Sequence, residues 1–107
     1  MFNRPQKLKR ISYDTISYIM IETESIRDAN DKMMIASYCC HKIEMVEWYI
    51  KLIEAGSEKY IVPQDMNELK RIRDQLLECH KQIMNVKITR PSERPIIDIK
   101  YPKGYEG

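Results

Sequence analysis

An all-α protein built on one long antiparallel helical hairpin, residues about 31–55 and 63–87, is the fold that this sequence predicts. Three observations carry the prediction. Leu69, Ile72, Leu76, Cys79, Ile83 and Val86 recur at alternating spacings of three and four, the seam of a helix packed lengthwise on another. A second stripe of the same kind, Ile35, Cys39, Ile43, Val46, Ile50 and Ile53, precedes it. Folding the two about the segment Gly56–Val62 brings the stripes into register, because facing residue numbers add to about 119: Ile53 meets Met66, Ile50 meets Leu69, and Ile43 meets Leu76. At 107 residues, 43% apolar and 32% charged, the chain has material for one domain with one core and is too apolar for a disordered polymer.

The elements follow in order. Residues 1–12 form a basic N-terminal tail, with Arg4, Lys7, Lys9 and Arg10 and no acid among the first ten. No apolar stretch of leader length follows it, so no signal peptide is expected. Residues 13–29 are assigned to a shorter helix on the spacing of Ile16, Ile19 or Met20, Thr23 and Ile26, with no Gly or Pro between them. The β-branched and aromatic residues of 11–21 make a strand the rival reading. Asn30 or Asp31 can cap the helix 31–55, and Gly56 supplies the left-handed residue that ends it. Pro63 at a first-turn position, with Asp65 and Glu68 near the positive end of the helix dipole, starts the helix 63–87. Pro91, Pro95 and Pro102 forbid a helix beyond it, so 88–107 is read as an extended C-terminal arm.

The helix 31–55 carries a second apolar stripe, Met34, His41, Met45, Trp48 and Leu52, roughly 145° around its axis from the first. Tyr38 and Tyr49 fill the arc between the two. A helix apolar over more than half its circumference buries two faces, and the helix 63–87 covers only one. The other needs either the segment 13–29 or a second subunit. Met34, Met45, Trp48, Tyr49 and Leu52 are therefore the expected interface, since Trp and Met dominate contact cores.

Metal, cofactor and catalytic signatures are not expected. Cys39-Cys40-His41 and Cys79-His80 offer metal-ligand residue types, but adjacent helical residues diverge by about 100°, so four ligands do not converge. Small thiols filling a tight layer between Cys39 and Cys79 fit the pattern better. Three glycines leave no phosphate-cradling loop, and no acyl-transfer triad is visible. Arg73 and His80 stand seven apart on one helix face. Arg-x6-His resembles the ribonuclease signature of the HEPN helical domains, and the resemblance covers these two residues alone. It implies an Arg and a His acting on a scissile phosphate.

The charge of +2 hides an uneven distribution. Residues 1–10 carry +4, residues 11–86 hold nine basic and thirteen acidic side chains, and residues 87–107 hold five basic and three acidic. An acidic helical body with basic ends follows. Arg4, Lys7, Lys9, Arg10, Lys42, Arg73 and His80 are the candidate contacts for nucleic acid, or for a nucleotide in a pocket between subunits. The apolar runs are too short for a membrane span, and three cysteines make no disulfide framework, which together suit a cytoplasmic protein with reduced thiols. The abundance of Ile, Lys, Tyr and Met, with only three Gly, suits an AT-rich genome such as that of a bacteriophage or mobile element. The function expected from all this is a non-enzymatic, self-associating helical interaction protein that binds and modulates or inhibits a host macromolecule. The alternative is a nucleic-acid- or nucleotide-binding regulator, and behind it stands a minimal HEPN-like ribonuclease.

Overall fold

Three helices, α1 (Tyr13–Glu24), α2 (Ala29–Ala55) and α3 (Met66–Asn85), run up, down and up in a computed structural model that describes residues 4–88. The hairpin of α2 and α3 is its spine. α2 has 27 residues, about 40 Å, and its Ile35, Cys39, Val46 and Ile50 are buried against Leu69, Ile72, Leu76, Cys79 and Ile83 of α3. The Cys39 thiol donates to the Leu76 carbonyl at 3.3 Å, which ties the two helices in the middle of the seam. The heptad stripes thus meet as their spacing requires.

The helix ends are set by specific caps. Asp28, buried and extended at φ −140°, accepts from the Asp31 N–H at 2.9 Å, so the cap is Asp28 in place of the expected Asn30 or Asp31 and α2 begins at Ala29. The Asp31 carboxylate in turn accepts from the N–H of Arg27, the residue before the cap, at 3.0 Å. Gly56 at φ 64° ends α2, with its own N–H bonded to Ile53 O and the Ser57 N–H to Leu52 O. The last helix starts at Met66, later than the expected residue 63. Asp65 is its cap, accepting from the Glu68 N–H at 2.7 Å, and Pro63 lies outside the helix. At its other end Lys32 reaches across from α2 and donates to the carbonyls of Met84 and Val86 at 3.1 and 2.9 Å, satisfying groups that the helix leaves open.

Residues 13–24 are helical, which decides against the strand rival. The Ser12 hydroxyl caps α1 by accepting from the Asp14 N–H, and Ile16 and Ile19 enter the core. The helix stops at Glu24, short of residue 29, because the Asp28 cap of α2 demands extended backbone and the chain must turn within residues 25–28. Thr23 and Ser25 turn their hydroxyls back onto the carbonyls of Ile19 and Ile21 as it closes.

The residues expected to form a basic tail are, from Arg4 onward, built into the fold. Two short strands, β1 (Gln6–Lys7) and β2 (Tyr60–Ile61), pair in parallel, with Gln6 opposite Tyr60 and Lys7 opposite Ile61. They are parallel because each leads into a helix, α1 or α3, that starts at the same end of the bundle. This pairing adds a small β element to the all-α expectation. Further along, the Gln64 side chain clamps the buried Ile11 backbone, accepting from its N–H and donating to its carbonyl, both at 2.8 Å. Arg10 pairs with Glu68 and donates to the Pro63 carbonyl. The arm expected over 88–107 lies, apart from Ile88, outside the described residues.

Candidate interaction surface

The stripe expected to be the interface is largely covered by the chain's own N-terminal segment and α1. Tyr49 is 3% exposed, and its hydroxyl donates to the Lys9 carbonyl at 2.6 Å; burial pushes its pKa up. Met45 packs on the core, and Leu52 is half-buried. Trp48 remains 42% exposed but stands edge-on to Tyr60 with ring centroids 5.2 Å apart. Tyr38, in the arc between the stripes, meets Tyr18 of α1 edge-on at 5.2 Å. Met34 is 64% exposed, at the rim of a cleft between the end of α1 and the start of α2 that Glu22, Arg27 and Ile35 also line. Residues 4–12, counted as a tail, cover the Met45 and Tyr49 part of the second stripe and leave Met34 and Trp48 exposed.

Apolar side chains are also exposed on a second face. On the side of the hairpin away from α1, α2 and α3 leave a shallow groove of about 260 Å³ lined by Cys40, Ile43, Glu44, Leu77 and His80. Leu77 is 46% exposed. Met33 and Met84, 66% and 52% exposed, extend the strip by two helical turns on each helix, and the Lys32 bond to the Met84 carbonyl holds those ends side by side. Toward the α2–α3 loop the groove continues as a second hollow of about 300 Å³ between Glu47, Ile50, Lys51, Glu54 and Arg73. No family model, curated protein or solved structure matches the chain. The surface therefore has to be read from its own chemistry.

That strip was present in the sequence as a weaker signal than the seam. Met33 and Cys40 are seven apart on α2, and Leu77 and Met84 are seven apart on α3. Each pair lies one step off the main stripe, and the two pairs share one register, so the hairpin was bound to align them.

The basic candidates divide among three places. Lys7, Lys9, Arg10 and Lys42 meet around one cleft of about 460 Å³, with Ser12, Thr15, Met45 and Tyr49 also lining it. Arg10 is committed to Glu68 there, whereas Lys7, Lys9 and Lys42 have no carboxylate partner among the described residues, and Lys42 lies over the Tyr38 ring at 5.4 Å. Arg4 lines a separate hollow with Gln6, Ser57, Glu58, Lys59 and Tyr60. Arg73 and His80 line different hollows of the α2–α3 groove, and the Arg73 guanidinium pairs with Asp74 at 3.6 Å.

Among the described residues no group of three or more His, Cys, Asp or Glu side chains gathers in a form that could hold a metal ion. Cys39 and Cys79 are buried free thiols and Cys40 is exposed. Burial, with the neighbouring Cys79 and Cys40, pushes Cys39 up to about 11, so near neutral pH it is an uncharged filler of the seam. No described helix is long and apolar enough to cross a membrane.

Proposed function

We propose that this protein is a non-enzymatic helical interaction module that binds protein through the open face of α2 and α3, associating with itself and modulating or inhibiting a macromolecular partner. The observation that carries the reading is the strip Met33, Cys40, Leu77 and Met84, whose side chains stay in water around a groove between α2 and α3, alongside the exposed Met34 and Trp48 of the other face and Met20 and Ile21 of α1. Exposed Leu and Met gain from burial, about 1.5–3 kcal/mol for each side chain fully removed from water, and side chains so placed do nothing for the stability of the single chain.

A Leu77→Glu/Met84→Glu double variant tests this. Both positions are exposed, so the helical circular dichroism and melting temperature should match the parent protein. Used as bait in its native host extract, the parent should retain a stoichiometric protein that the variant loses. Equal retention by both baits would defeat the reading.

The nucleic-acid or nucleotide reading keeps one specific support, the cleft that gathers Lys7, Lys9 and Lys42. Three unpaired ammonium groups around an open cleft suit a phosphate-bearing ligand. Affinity for a single-stranded oligonucleotide should then fall with salt, and Lys9→Ala/Lys42→Ala should flatten the dependence of log K on log salt by about one for each phosphate contact removed. A binding isotherm that does not change with salt would exclude it.

A further inference from the structure

We infer that the open face of α2 and α3 pairs with the same face of a second copy of the chain, about a two-fold axis parallel to the helices, so that α2 of each copy lies against α3 of the other. This rests on the reading of that face as a contact surface and deepens it by fixing how the two copies are oriented. Charge decides that orientation.

The two rims of the strip have opposite sign. On the α2 side the exposed residues are Glu44, Glu47 and Glu54 with one cation, Lys51. On the α3 side stand the exposed Lys70 and Lys81 and the half-buried Arg73, with two acids, Glu78 and the Asp74 that pairs with Arg73 at 3.6 Å, so that this side keeps a net positive charge. A face with carboxylates on its α2 side and cations on its α3 side is complementary to itself. It meets a copy of itself in one of two ways. An axis running across the helices sets α2 on α2 and α3 on α3, which places carboxylates against carboxylates and cations against cations. An axis running along the helices exchanges the edges and sets the acidic rim of each copy against the basic rim of the other.

The second arrangement also keeps the layers in step. Rotation about an axis along the helices leaves every residue at its own height in the bundle. Residues that face each other within one hairpin then face each other's copies across the interface. Glu47 and Arg73 line one hollow in a single chain, so Arg73 of each copy comes level with Glu47 of the partner subunit. Cys40 and Leu77 line the next, so Leu77 meets Cys40 of the partner subunit. The direction of the chains agrees as well. Such an axis does not reverse the helices, so α2 of one copy runs antiparallel to α3 of the other. The two hairpins close into a four-helix core with α1 of each copy on the outside, the usual way for a hairpin to hide its second face.

Sedimentation equilibrium on the full chain at micromolar concentration provides the test, using Glu47→Lys, Arg73→Glu and the double reversal. The parent protein should be a dimer. Each single reversal should weaken it about tenfold or more, and the double reversal should restore association toward the parent value. Strengthening by Glu47→Lys would indicate α2 on α2 and overturn the arrangement, as would indifference to both reversals. A parent protein that stays a monomer to about 100 micromolar, well above the concentration at which a micromolar dissociation constant fills the dimer, overturns the second copy as occupant. If a foreign protein is then still lost from the Leu77→Glu/Met84→Glu bait, the contact surface stands and only the self-pairing fails. A dimer that survives both acidic substitutions overturns the pairing through this strip as well.

Discussion

Leu76→Ala is expected to cost about 3–5 kcal/mol of unfolding free energy, the largest loss from any single substitution considered. Leu76 is completely buried at the middle of the seam, between Ile43 and Cys39 of α2, and its carbonyl receives the Cys39 thiol. Truncation removes three carbons from a layer that the rigid hairpin cannot close up, so a cavity cost adds to the lost transfer energy. In a domain whose whole stability is of order 5–15 kcal/mol, this should lower the melting temperature by about 15 °C or more. The neighbouring Leu77→Ala is the control. Its side chain is nearly half in water, and the same chemical change should cost less than about 1 kcal/mol. Circular dichroism melts of the two variants at low protein concentration check this, and equal losses would mean that the seam is misplaced by one residue.

Gln64→Ala should have the second-largest effect, about 2–4 kcal/mol, by a different mechanism. The Gln64 amide satisfies both polar groups of the buried Ile11 backbone, and alanine leaves an N–H and a carbonyl without partners in a site closed to water. The chain relieves that penalty by letting residues 4–11 detach, which uncovers Tyr49 and Met45. Amide hydrogen exchange should therefore quicken selectively at Leu8 and Ile11, while the amides of α2 and α3 keep their protection. Loss of protection along the whole hairpin, or unchanged protection at Ile11, would contradict the clamp.

These two variants also mark where sequence was informative. Leu76 and its seam were legible because a packed helix repeats its contacts at spacings of three and four, and two matched stripes with a Gly stop between them admit one register. The Met33, Cys40, Leu77 and Met84 strip obeys the same periodicity, yet it sits beside a stronger stripe, and periodicity alone does not say which apolar residues are left in water. The clamp was not legible at all. Gln64 is a polar residue ahead of a helix, and nothing in its neighbours foretells that it reaches a residue 53 positions earlier.

Local chemistry therefore determined the helical class, the α2–α3 register, the stop at Gly56 and the existence of a second apolar face on α2. Those follow from short-range periodicity and from backbone preferences that each residue carries wherever it stands. Only the tertiary structure decided what covers that face. A tail with four cations reads as solvated, and β-pairing of two residues has no pattern to detect. The cover came from Gln6–Ile11 lying along Tyr60–Gln64 and from Tyr49 reaching the Lys9 carbonyl, contacts between segments some 40 to 55 residues apart. With Tyr49 and Met45 covered by the chain itself, apolar side chains are also left in water on the opposite face of the hairpin, where no fourth helix exists among the described residues to bury them.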